Sequence, residues 1–140
     1  MQASCVDDTF AKFTGFGAAY LRAIESMRSD RIVNDAFAMR LTHQNRAELE
    51  KLLLTTSKPS SLWGDCIAIR TRYLDEALEH RDAKIRQVVI LGEGLDTRAY
   101  RLDSLRGCHV LEIDQNDQAF ERINEVMKKE NVPGLGLLAT

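Results

Sequence analysis

Proline is scarce in this chain of 140 residues: Pro59 and Pro133 are the two, and each stands between patterned segments. Proline breaks helices and removes a ladder donor from sheets, so its rarity leaves long stretches open to regular structure. Cysteine is also sparse. Cys5, Cys66 and Cys108 are far apart, odd in number and without a CxxC pair, which argues against a disulfide framework or a zinc knuckle. His43, His80 and His109 are equally scattered and read as surface or packing residues, so no metal site is expected. Neither sign of charge dominates: 19 Lys and Arg face 21 Asp and Glu, for a net charge of −2. A protein that grips nucleic acid by neutralising phosphates is ordinarily basic, so that class is disfavoured.

No apolar run approaches the ~18–20 residues of a bilayer crossing. The longest candidates, such as Gln87–Leu91, are strand-length. The opening Met1-Gln-Ala-Ser-Cys-Val-Asp-Asp lacks the basic start and apolar core of a secretory signal. A cytoplasmic location without a membrane partner is therefore expected. What remains is an ordinary globular balance, 44% hydrophobic and 29% charged, which argues against disorder and suits one domain.

The chain up to about residue 83 reads as helical. Tyr20, Ile24 and Met27 recur at i, i+4, i+7 and share one helical face. Ser29 and Asp30 end that helix. Asn34 or Asp35 starts a second, since both are good N-cap types. It runs through Phe37 and Leu41 to Leu49, Leu52 and Leu53, with a break near 42–45. Residues 55–61 read as a loop by composition. A third helix is predicted from Asp65 to His80, with Ile69, Tyr73, Ala77 and Leu78 inward.

The texture then changes. Gln87-Val-Val-Ile-Leu91 is a β-branched, uninterrupted apolar run that ends at a glycine. It suits a parallel strand covered on both faces. His109-Val-Leu-Glu-Ile113 is a second strand candidate with Asp114 at its tip. Asn116 or Asp117 can cap a helix whose inner face is Phe120, Ile123 and Met127. Lys128 and Lys129 suit its C-terminal end. Leu135-Gly-Leu-Leu-Ala139 could open a third strand. This is a βαβαβ pattern, and right-handed crossovers would order its strands 3-2-1.

The chemistry lies after the first strand. In Gly92-Glu-Gly94 the missing Cβ atoms let the backbone turn sharply and let a ligand lie against it. Asp114 follows Gly94 by 20 residues. An acid at a strand tip can accept hydrogen bonds from ribose hydroxyls, so the two features make a nucleoside cradle. A dinucleotide fingerprint needs a third glycine where Thr97 stands, to seat a pyrophosphate. That weighs against NAD. S-adenosyl-L-methionine has no phosphates and needs only the turn and the ribose acid.

These residues resemble a known family. Val89-Ile-Leu-Gly-Glu-Gly-Leu-Asp-Thr-Arg-Ala-Tyr-Arg-Leu102, with Leu111-Glu-Ile-Asp-Gln115, is similar to the leucine carboxyl methyltransferase superfamily, in its S-adenosylmethionine-dependent methyltransferase branch. Arg22-Ala-Ile-Glu-Ser26, Arg31-Ile-Val-Asn-Asp35 and Ile69-Arg-Thr-Arg-Tyr-Leu-Asp75 fit as well, so the resemblance runs from about residue 18 to residue 120. It implies an α/β, Rossmann-like class I methyltransferase fold: a helical N-terminal extension over 1–84, and over 85–140 the first half of an incomplete parallel sheet.

The resemblance also implies roles. Gly92 meets the cofactor, Gly94 is the second small position of the turn, and Asp114 binds ribose hydroxyls. Arg70 matches the arginine that pairs with the carboxylate of the cofactor's methionine part, and a guanidinium can hold a carboxylate through two parallel bonds. The alternatives are specific. Arg70 could be a solvated helix residue, and Arg72 lies on another face of the helix. Glu112 is one pleat back from Asp114 with shorter reach. Asp96, Arg98 and Arg101 read as a structural ion network around the turn, and Trp63 as a packing residue.

No catalytic residue is named, because a sulfonium is already an activated donor and the protein's task is alignment. The expected methyl acceptor is a small molecule or a protein carboxylate. Glu93 departs from the small residue usual between the glycines: its charge either favours the sulfonium or points to solvent. Length departs too. The family's sheet has seven strands in the order 3-2-1-4-5-7-6, and this chain stops near its third. The edge of the first strand would lack a neighbour, so the expectation is a truncated enzyme, poorly stable or self-associating through that edge, with negligible turnover alone.

Overall fold

A computed structural model describes residues 8–55, 60–92, 94–115 and 117–130. Four helices come first: α1 (Asp8–Ser26), α2 (Ala38–Thr42), α3 (Arg46–Thr55) and α4 (Ser60–Glu79). Then follow β1 (Gln87–Leu91), the short α5 (Arg98–Arg101), β2 (His109–Ile113) and α6 (Asp117–Lys129). This is a mixed α/β chain with a small parallel sheet.

The expected break in the second helix is present: His43–Asn45 tightens into a 3₁₀ turn between α2 and α3. Helix α2 starts at Ala38 with Phe37 at its N-cap position, later than the Asn34 or Asp35 expected; just ahead of it lies Asp35. Its Oδ1 accepts the Phe37 and Ala38 amides at 3.2 and 3.1 Å, which satisfies donors that a helix start leaves open. The third helix begins earlier than predicted. Ser60 and Ser61, read as loop, belong to α4; serine suits helix beginnings, so composition misplaced the boundary. Both strands span the predicted residues. They pair in parallel, in register from Gln87 opposite His109 to Leu91 opposite Ile113. The third strand predicted over 135–139, and with it the 3-2-1 order, lies outside the described residues.

Two helix faces differ from expectation. In α1, Tyr20 is buried but Ile24 is 37% exposed, and Met27, just past the end of the helix, is 61% exposed. The residues that α1 buries include Ala19 and Ala23, whose small side chains let α1 lie close against α2 and α4. In α4 the predicted inward residues Ile69, Tyr73 and Ala77 are exposed, Tyr73 by 71%, and only Leu78 is half-buried. The inward face carries Ala68, Thr71 and Asp75 instead. Apolar periodicity cannot find such a face, because Asp75 is turned inward by two arginines rather than by burial of apolar surface.

Two apolar cores result. One joins Ala19 of α1, Leu41 of α2 and Leu95 to Ala119, Ile123, Val126 and Met127 of α6. Ile123 and Met127 are buried and Phe120 half-buried, which is the inner face predicted for α6. The other core packs Ala99, Leu102, Leu105 and Cys108 beneath Val110, with Val88, Ile90 and Leu78 around it. The sheet is therefore covered on one face. Val89, Leu91 and Ile113 on the opposite face are 49%, 74% and 43% exposed, so the expectation of a strand covered on both faces does not hold among the described residues. No helix among the described residues is long and apolar enough to cross a membrane.

Candidate functional site

The turn after β1 is built from two glycines with left-handed backbones, φ 63° at Gly92 and 55° at Gly94. That region is costly for residues with a Cβ. The Gly92 amide donates to Ile113 O at 2.8 Å and carries the pairing one step past β1. The Gly94 amide donates to Asp114 Oδ2 at 2.8 Å. The acid at the tip of β2 thus clips the turn from one side. Helix α1 closes the other: a Cβ on Gly94 would stand 3.3 Å from Gly15 Cα.

Beyond the glycines the chain descends into a charged, buried knot. Leu95 is 2% and Thr97 0% exposed. Arg22 of α1 donates through Nη2 to Leu95 O at 2.5 Å and through Nε to Asp35 Oδ2 at 2.8 Å. Thr97 Oγ1 donates to the same Asp35 oxygen at 2.7 Å and accepts from Arg101 Nε at 3.1 Å. Arg101 then holds Asp75 with two bonds, at 2.7 and 2.9 Å. Arg98 donates to Asp75 at 2.8 Å and also pairs with Asp96. Burial would push the Asp35 carboxyl up. The charge and hydrogen bond of Arg22, the Thr97 hydroxyl and Arg101 together outweigh it and hold Asp35 below the usual carboxylate range.

The expected network of Asp96, Arg98 and Arg101 is therefore part of a larger one. Sequence reasoning missed Arg22, Asp35, Asp75 and Thr97 as its members. Their signal was nonetheless present, since each lies in a stretch that carries the family resemblance.

Above the knot lies an open cleft of about 910 Å³. Arg70, Gly92, Gly94 and Asp114 all line it, so the structure brings the four predicted site residues to one cavity. Thr14 and Phe16 of α1 and Asp117 and Gln118 of α6 complete its walls. Arg70 and Arg72 differ in commitment. Arg72 Nε donates to Glu76 at 2.8 Å one turn on, while Arg70 is exposed at the cleft with no ion pair among the described residues. Glu112 is 2% exposed and its Oε2 accepts the Tyr100 hydroxyl at 3.2 Å, beneath the sheet and away from the cleft. Trp63, read as a packing residue, is 41% exposed. Glu93 lies outside the described residues.

The sequence profile of leucine carboxyl methyltransferases matches residues 15–133, which include the turn, the knot and all four cleft residues. The chain belongs to the leucine carboxyl methyltransferase family. Similar proteins share 40% identity over 112 residues in Streptomyces coelicolor and 41% over 127 residues in Mycobacterium avium. Both are named "Putative S-adenosyl-L-methionine-dependent methyltransferase". The matches cover 74% and 78% of this leucine carboxyl methyltransferase family chain, but 37% and 40% of the two relatives. The chain thus spans well under half the length of the curated relatives it matches.

Proposed function

We propose that the chain carries the cofactor-binding part of an S-adenosyl-L-methionine-dependent methyltransferase of Rossmann-like, class I type that acts in the cytoplasm. In this reading residues 1–84 form the helical region and 85–140 the first half of the sheet. The observation that carries it is the meeting of Arg70, Gly92, Gly94 and Asp114 on one cleft. The cleft is in the size range of small-molecule sites. Among the described residues beyond its chain neighbours, nothing stands within 4 Å of where a Cβ on Gly92 would lie, so the bare backbone leaves room for a ligand to approach. Asp114 fixes the turn through Gly94 and offers its carboxylate to ribose hydroxyls from the tip of β2. Arg70, uncommitted and exposed, reaches a carboxylate at the other end of the ligand.

When bound, the cofactor supplies a methyl group on a sulfonium, already activated for transfer. The acceptor in this reading is an oxygen nucleophile, a carboxylate of a small molecule or of a protein. The chain's own residues bind and orient; none is assigned a proton transfer. Calorimetry on the intact chain tests the proposal with S-adenosylmethionine, S-adenosylhomocysteine and NAD. The two sulfur ligands should bind and NAD should not, and Arg70→Ala should weaken binding tenfold or more while melting is unchanged. Absence of binding by both sulfur ligands defeats the reading.

A second reading, a non-catalytic module that binds a partner or a second copy through the sheet, is favoured by the exposed Val89, Leu91 and Ile113. Concentration-dependent mass in light scattering, without cofactor binding, would select it.

A further inference from the structure

We infer that the buried chain of contacts Arg22–Asp35–Thr97–Arg101 positions the glycine turn for its ligand, with Thr97 as the positioning residue at its centre. This rests on the cofactor reading above and deepens it.

A turn with two left-handed glycines has more freedom to lose on ordering than any other. Its N-terminal side is held by the pairing to Ile113 and the clip from Asp114. Its C-terminal side has no strand to hold it. Beside the start of α5, whose Tyr100 and Arg101 amides bond the Thr97 carbonyl, what holds it comes from the first 35 residues. Arg22 grips the Leu95 carbonyl, and Asp35 takes the Thr97 hydroxyl. The two anchors are themselves joined, because Arg22 Nε bonds the Asp35 oxygen that Thr97 uses. Thr97 employs its hydroxyl in both directions, as donor to Asp35 and acceptor from Arg101. Asp35 cannot shift to release it: its other oxygen is engaged by the start of α2. Gly92 and Gly94 are thus tied on one side and Leu95 and Thr97 on the other before any ligand arrives, and preorganisation of this kind strengthens binding by removing an ordering cost.

Stability alone is a poor account of the network. Buried ion pairs are weak stabilisers compared with apolar residues of the same volume. Residue 97 is also where a glycine would give the closest helix packing. A hydroxyl there gains its use only through the two partners it joins.

The test measures backbone amide exchange and S-adenosylhomocysteine affinity on the intact chain, for wild type, Thr97→Val and Thr97→Ser. Valine keeps the shape and loses both bonds; serine keeps the bonds. A typical hydrogen bond corresponds to roughly a tenfold change in an equilibrium. The Gly94 and Leu95 amides should therefore exchange about tenfold faster in Thr97→Val, while the Val89 and Ile90 amides keep their rates. Affinity should fall by a similar factor, and Thr97→Ser should restore both. Unchanged exchange at the turn overturns the inference. So does a uniform rise across the chain, which would mark a merely structural residue, and so does local loosening with undiminished affinity. If wild type binds no S-adenosylhomocysteine, the cofactor reading fails, while selective loosening at Gly94 still supports the network's hold on the turn. Should Thr97→Val fail to fold, Arg22→Lys gives the same contrast, since it keeps a charge beside Asp35 and gives up the grip on Leu95.

Discussion

The two glycines of the turn should separate stability from binding when each is replaced by alanine. Both have left-handed backbones, φ 63° and 55°, a conformation that costs a residue with a Cβ about 1–2 kcal/mol. Against this, alanine restricts the unfolded chain and returns about 0.4–1 kcal/mol. For Gly92 nothing else enters, because among the described residues beyond its chain neighbours the added Cβ meets no atom within 4 Å. Gly92→Ala should therefore destabilise by about 0–1.6 kcal/mol. For Gly94 the Cβ would stand 3.3 Å from Gly15 Cα. The obstacle is backbone, so α1 must retreat by a few tenths of an ångström, and overpacking of this sort costs about 1–3 kcal/mol more. Urea denaturation should place Gly94→Ala about 1–3 kcal/mol below Gly92→Ala. Affinity for S-adenosylhomocysteine should show the opposite emphasis. Gly92→Ala puts a methyl group on the bare backbone of the cleft and should weaken binding tenfold or more at nearly native stability. Equal stabilities for the two variants would refute the close approach of α1 to the turn. Unimpaired binding by Gly92→Ala would refute the role given to that glycine.

Other perturbations probe the knot and the corrected helix faces. Asp35 is held below its ordinary pKa, so its contribution to stability is complete above the unfolded value of ~3.9 and is lost as pH falls through the folded value. The stability of wild type should therefore drop below about pH 4, and Asp35→Asn should lack that part of the slope when urea midpoints are compared from acid to neutral pH. Asp75→Ala takes the shared carboxylate from Arg98 and Arg101, whose side chains are 12% and 9% exposed, and leaves them Asp96 and Thr97 as partners; it should cost about 1–3 kcal/mol in the same assay. Ile123→Ala, in a fully packed site, should cost about 2–5 kcal/mol. Tyr73→Ala should stay within about 0.5 kcal/mol of wild type, and a large loss there would mean that α4 buries the face that apolar periodicity picks out.

Some of this molecule is legible in its sequence because local chemistry decides it. The strands at 87–91 and 109–113 are β-branched runs ended by a glycine and an acid, and they form where those signals put them. The break at His43–Asn45 stands where it was expected, and the inner face of α6 follows from period. The cleft residues Arg70, Gly92, Gly94 and Asp114 came from strand-tip logic and from family likeness, and they do converge. The faces of α1 and α4 were misjudged for one physical reason. Period-based reading assumes that burial selects apolar side chains, whereas α1 turns inward its alanines and Arg22, and α4 turns inward Thr71 and Asp75. A buried charge is admitted only by its partners, and those partners stand 13 to 73 residues away in the chain. No local window can see them.

The distance between partners also sets an order of events as the chain is made. Arg22 and Asp35 precede the atoms they grip, Leu95 O and Thr97 Oγ1, by 73 and 62 residues. At ribosomal speeds of about 5–20 residues per second, that is a lag of roughly 3–15 s. Through that interval a guanidinium and a carboxylate destined for the interior remain wetted, with each other as company. Leu95 and Thr97 find their anchors only when they emerge to meet them, so the earliest helices serve as the mould in which the later bend is cast.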